Sequence, residues 1–148
     1  MKQVNKILVA TDLSDLSMQA VDAGATMAER FGAELHLIYV LEDPFPPYGI
    51  EYMPNQLDEI RETHNERAAE RLGEAADDLK KRGIKVSYKV VNGIPHSEIV
   101  ELAENEKFDM ICLATHGRGF VSRAILGSTT ERVLRQAPCP VLAVRDLS

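Results

Sequence analysis

Five short apolar runs alternate with four longer segments in which apolar residues return every three or four positions. Lys6–Thr11 reads as a buried strand, a short apolar run closed by a polar turn. Ser14 is placed to cap the helix that follows. Its apolar positions Leu16, Ala20, Ala23, Met27, Ala28 and Phe31 fall at helical spacing, and Gly32 suits the residue just past its end. Glu34–Val40 is a second strand. Pro44, Pro46, Pro47 and Pro54 then exclude a regular helix or a central strand between Glu42 and Pro54. A polar helix is predicted over Asn55–Arg82, with Leu57, Ile60, Ala68, Leu72, Ala75, Ala76 and Leu79 on one face and Gly83 at its end. Ile84–Val90 is a third strand. Gly93-Ile94-Pro95 turns the chain into a helix over His96–Glu106, with proline near the start, where it is tolerated. Asp109–Ala114 is a fourth strand, a glycine-containing polar loop leads to a helix over Ser128–Gln136, and Pro140–Arg145 is the last strand.

Strands alternating with helices imply right-handed crossovers and a parallel sheet covered on both faces. The expected fold is therefore α/β: one open, doubly wound, five-stranded parallel sheet of Rossmann-like type, forming a single domain over residues 1–148. In such sheets a ligand binds at the carboxyl ends of the strands, where the strand order reverses. Strands one and four are the candidates to flank that point. The first ends in Ala10-Thr11-Asp12 and the fourth in Ala114-Thr115-His116-Gly117-Arg118-Gly119. Small residues and glycine admit a ligand to the backbone, and Asp12 offers an acceptor. Ser128 and Glu131 have the spacing of a capping box, which predicts a helix start whose unpaired amides suit a phosphate, with the Ser128 and Thr129 hydroxyls as further donors. Most such helix starts bind nothing, so this signal is weak alone. No Gly-Lys-Ser/Thr occurs, which excludes a P-loop, and Gly117-Arg118-Gly119 lacks the third glycine of a dinucleotide fingerprint.

Charge narrows the partners. A net charge of −6 with dispersed Lys and Arg argues against nucleic-acid binding, which needs a clustered positive surface. The apolar run after Lys6 is too short for a signal-peptide core or a membrane span. Cys112 and Cys139 lie in apolar segments without metal-type spacing and read as buried free thiols of a reducing compartment, so a cytoplasmic protein is expected. His36, His64 and His96 are scattered and give a metal site little support.

The stretch Asn92-Gly93-Ile94-Pro95, then Ala114-Thr115-His116-Gly117, nine residues, Gly127-Ser128, and then Ala137-Pro138-Cys139-Pro140-Val141-Leu142 resembles the universal stress protein family. The opening Ile7-Leu8-Val9-Ala10-Thr11-Asp12-Leu13-Ser14 is similar to that family's first strand and turn. One branch of the family binds ATP and carries Gly-x2-Gly-x9-Gly-Ser/Thr; here Ala114 stands in place of the first glycine. An alanine there costs little at negative φ, and on the order of 1 kcal/mol if φ must be positive.

The resemblance implies adenine near Asp12 and Val40 and ribose near Ala10 and Ala114. It places the phosphates at the backbone of Gly117 and Gly127, with Ser128 and Thr129 as donors; Arg118 and Arg123 lie in the loop between the glycines and could reach phosphate oxygens, but loop arginines are more often just solvated. Thr11 belongs to the same expected set, and His116 is expected to shape the loop or touch phosphate rather than act as a general base. The ligand would be ATP, ADP or AMP, with Mg²⁺ carried by the phosphates. The resemblance also implies a homodimer that covers the apolar edge strand Pro140–Arg145. Three readings follow. In the first, a nucleotide-binding regulatory dimer acts in stress response, with ATP biasing the loop Asp43–Pro54 between two states. The second is a slow ATP-hydrolysing enzyme, for which Asp12 and His116 are poor bases. The third is a nucleotide-independent structural or chaperone-like dimer with a vestigial pocket. No nucleic acid, membrane or metal partner is expected.

Overall fold

A computed structural model describes residues 2–42, 54–117 and 125–146. The expected loop Asp43–Pro54 thus lies almost wholly outside the described residues, as do Arg118, Gly119 and Arg123. The elements follow the expected order: β1 (Lys6–Ala10), α1 (Asp15–Phe31), β2 (Glu34–Leu41), α2 (Pro54–Lys80), β3 (Val86–Asn92), α3 (Pro95–Asn105), β4 (Met110–Ala114), α4 (Ser128–Gln136) and β5 (Val141–Val144).

All pairings are parallel and the strand order is β3-β2-β1-β4-β5. The chain builds outward from β1 to β3, then crosses back to place β4 on the other side of β1, so the order reverses between β1 and β4. Alternate residues of the central strand serve opposite faces. Ile7 and Val9 pack into one core with Val21 and Ala25 of α1 and Leu72 and Ala76 of α2. Leu8 enters a second core with Ile99 and Ala103 of α3 and Val133 of α4. Both faces of the sheet are therefore covered, as strands with uninterrupted apolar runs require.

Local chemistry sets the helix ends. Ser14 caps α1, its Oγ accepting from the Ser17 amide at 3.3 Å, and Gly32 closes it in the left-handed region at φ 66°. The buried stripe of α1 is rotated from the expected one. Ser17, Ala20, Val21, Gly24, Ala25 and Ala28 form its centre, while Leu16, Ala23 and Met27 flank it half-buried and Phe31 is exposed. Small residues face the sheet because the helix rides close to it: a Cβ built on Gly24 would lie 2.5 Å from Val9 Cγ2.

Other expectations need correction. On α2, Ile60 is exposed rather than part of the packed face. The third strand begins two residues later than expected, at Val86, because Leu35 of β2 takes it as its register partner. Cys112 is buried, its thiol donating to the Ala20 carbonyl at 3.2 Å and pushed up to about 12 by burial, an inert structural thiol. Cys139 is only half-buried, against expectation, because it lies in the turn entering the edge strand β5.

Candidate functional site

At the carboxyl end of β1 the chain makes two successive side-chain-capped turns. The Thr11 amide donates to the Ile38 carbonyl at 3.0 Å, and Thr11 Oγ1 accepts from the Leu13 amide at 3.0 Å while bonding Ser17 Oγ at 2.8 Å. Asp12 Oδ1 then accepts from the Ser14 amide at 2.9 Å. These bonds hold Leu13 at φ 65°, a conformation that non-glycine residues seldom adopt. The Thr11 hydroxyl is thus spent on the turn, and Asp12 Oδ2 lies toward Gly117, where an added Cβ would be 2.9 Å from it.

At the end of β4 the chain is tied to the start of α4. The Gly127 amide donates to the Thr115 carbonyl at 2.8 Å, and the buried Thr130 hydroxyl donates to the Ala114 carbonyl at 2.6 Å. The N-cap of α4 is Gly127, not Ser128, and no side chain caps it; the expected capping box does not form. Glycine suits the cap because a side chain there would press on backbone: a built Cβ would lie 3.1 Å from both His116 Cα and Thr115 O. Ser128 is already helical, so its hydroxyl does not close the helix end. Glu131 N makes the first helical bond, to Gly127 O at 2.9 Å, leaving the amides of Ser128, Thr129 and Thr130 without intrahelical partners. The Gly127 amide itself is bonded to the Thr115 carbonyl.

Between these two strand ends, at the reversal of strand order, lies a cleft of about 170 Å³. One wall is apolar, formed by Ile38, Val40, Pro95, Ile99 and Leu113. Ala10, Thr11, Asp12, Ser17, Ala114, His116, Gly117, Thr129 and Thr130 complete the lining. Of the residues expected from sequence, Ala10, Thr11, Asp12, Val40, Ala114, His116, Gly117 and Thr129 meet here. Gly127 and Ser128, at the start of α4, are not among the lining residues, and Arg118 lies outside the described residues. Ala114 is an ordinary strand residue: among the described residues only Leu13 and Lys107 combine a side chain with positive φ, so its methyl carries no backbone strain. His116 Nδ1 lies 3.3 Å from Thr115 Oγ1, a contact that fixes the ring beside the cleft.

Sequence reasoning missed Ile38, Pro95, Ile99, Leu113, Ser17 and Thr130. Pro95 and Ile99 stand four apart on the first turns of α3, a spacing that puts both on one helix face. Thr130 follows two hydroxyl residues in the sequence, but it is the only one of the three that is buried. Among the described residues, no three His, Cys, Asp or Glu side chains gather as a metal-ligand set, and no helix is long and apolar enough to cross a membrane.

The fold defines a doubly wound α/β protein with a cleft at its topological switch point, lined by apolar side chains and by the first turn of α4. The chain belongs to the universal stress protein family, whose profile matches residues 3–145. It is 35% identical over 141 residues to universal stress protein MJ0531 of Methanocaldococcus jannaschii, a match covering 95% of this chain and 81% of that one. The solved structure of MJ0577 from the same organism superposes with a TM-score of 0.86 at 29% identity, covering 99% of both chains. A universal stress protein solved in complex with cAMP superposes with a TM-score of 0.73 at 26% identity, covering 97% of this chain and 98% of that one.

Proposed function

We propose that this protein binds an adenine nucleotide in the switch-point cleft and works as a regulatory dimer in the cytoplasm, its state set by the nucleotide rather than by turnover. The observation that carries the reading is the pairing, in one cleft, of an apolar wall with the amino end of α4. Ile38, Val40, Pro95, Ile99 and Leu113 offer a dry surface to a flat base, and Asp12 stands at its edge as an acceptor for an exocyclic amine. Ala10 and Ala114 leave room for a sugar beside the strand ends. The first-turn amides of Ser128 and Thr129, with their hydroxyls and the positive end of the helix dipole, suit phosphate oxygens. The cAMP-bound relative supports adenine nucleotide as the ligand class. ATP is the proposed resident, and Mg²⁺ would arrive held by its phosphate oxygens. The half-buried edge strand β5 is the proposed dimer seam.

The test is to denature freshly purified protein, identify any released nucleotide, and titrate Mg-ATP calorimetrically into the stripped protein. Recovery of an adenine nucleotide and a dissociation constant on the order of micromolar are expected. Empty protein with no binding heat and no thermal shift would overturn the reading and leave the structural dimer in its place.

A further inference from the structure

We propose that Thr130 is a positioning residue for the nucleotide site, its hydroxyl holding the amino end of α4 at the height where the helix can receive phosphate. The inference rests on the nucleotide reading above and adds to it a residue that touches the cleft from below. Thr130 is 3% exposed and is one of only three buried polar side chains among the described residues. The other two, Thr11 and Ser17, bond each other in the turn after β1. Thr130 instead spans two elements: its hydroxyl donates to the carbonyl of Ala114, the last residue of β4. One residue further along the strand, the Thr115 carbonyl accepts the Gly127 amide, and the Thr115 amide itself donates to Val144 of β5.

Two consecutive carbonyls of the chain leaving β4 are therefore used to fasten the first turn of α4, one through a backbone donor and one through a side chain. The consequence is geometric. With Gly127 and Thr130 both bound to the strand end, the intervening residues Ser128 and Thr129 are held with their amides at the helix mouth. Thr129 lines the cleft directly. Losing the Thr130 hydroxyl would deprive the Ala114 carbonyl of that donor and leave the Gly127–Thr115 bond to hold the start of α4. The apolar wall is built from β2, β4 and α3, and α4 packs against it through Val133, beyond the fastened first turn. Thr130 should accordingly govern affinity for the phosphate end of the ligand and leave affinity for the base and sugar alone.

The experiment compares wild type, Thr130→Val and Thr130→Ser, titrating each with Mg-ATP and with adenosine, and checking each fold by urea unfolding. The expected result is a loss of roughly tenfold in ATP affinity for Thr130→Val, adenosine affinity within about twofold of wild type, and recovery of ATP affinity in Thr130→Ser. Unchanged ATP binding by Thr130→Val, or equal losses for ATP and adenosine, would overturn the positioning role. Wild-type protein that binds neither ligand would instead overturn the nucleotide reading, and this inference with it. A measurement on wild type alone keeps the test independent of how well the valine variant folds. Amide hydrogen exchange should slow at Ser128 and Thr129 when ATP is added, while Gly127, already bonded to Thr115, changes little; a response centred on Gly127 would contradict the arrangement.

Discussion

The carboxylate of Asp12 and the bare Cα of Gly117 face each other across the switch point, with Oδ2 only 2.9 Å from where a Gly117 side chain would begin. The other carboxylate oxygen is held by the Ser14 amide, so Asp12 cannot swing aside without breaking a turn. Gly117→Ala should displace the carboxylate and lower adenine-nucleotide affinity roughly tenfold, and Asp12→Ala should do the same. Because both act on one contact, the double variant should lose little more than either single one, by calorimetric titration. Additive losses would show that the two residues serve the ligand separately.

Gly24 on α1 presents a second close approach, this time inside the core. Alanine at an exposed helical site would gain about 1 kcal/mol over glycine. Here its Cβ would lie 2.5 Å from Val9 Cγ2, with Leu35 and Cys112 next to it, and the helix would have to lift from the sheet. Overpacking of this kind costs about 1–3 kcal/mol, so Gly24→Ala should lower the urea midpoint rather than raise it. A more stable variant would mean that α1 shifts freely on the sheet.

How far these contacts can be read from the chain differs by element. The order of strands and helices was legible because each strand is a short apolar run and each helix repeats at three and four, but that order made β1 and β4 only candidates to flank the reversal, and the sheet places it there. Ala10, Asp12 and Gly117 could be assigned to one site because they end or follow strands that a parallel sheet aligns, whereas Val40 entered only through the family resemblance. The packed face of α1 was misplaced because periodicity counts large apolar side chains. The closest face of a helix riding low on a sheet is instead marked by Gly24, Ala25 and Ala28. The capping box was misread for a related reason. Ser128 and Glu131 have the right spacing, but the cap falls at Gly127, where the nearness of the Thr115 and His116 backbone favours glycine. Long-range backbone contacts of this kind leave no local pattern.

At the amino end of the sheet, His36 of β2 bonds Ser87 of β3 through Nδ1, while its Nε2 is buried without a hydrogen-bond partner. Its ring lies 5.7 Å from that of Phe108. Burial holds its pKa below the ordinary 6.5; Glu106 opposes the shift, and Lys89 and Lys6 add to it. A histidine whose folded-state pKa is lowered favours the fold in its neutral form. That contribution is complete above the unfolded value and is lost as pH falls through 6.5 toward the folded value. Wild type should therefore lose stability between about pH 7.5 and about pH 5.5 more steeply than His36→Gln, measured by urea unfolding at each pH. Parallel profiles for the two proteins would assign the acid sensitivity to other groups.

The dimer proposal can be tested at a single peptide group. Ile111 and Thr115 donate to the carbonyls of Pro140 and Val144 at 3.0 and 2.9 Å, so these residues and Leu142 between them turn their peptide groups toward β4. In a parallel ladder the intervening residues point the other way, which leaves the N–H and C=O of Ala143 on the open edge of β5. Proline at 143 would remove an outward donor and no bond of the sheet itself. If two copies pair along this edge, wild type should run as a dimer by light scattering, and Ala143→Pro as a monomer with its circular dichroism preserved. A variant that stays dimeric would move the seam off the strand edge, and the exposed Leu134 of α4 would then be the next residue to substitute.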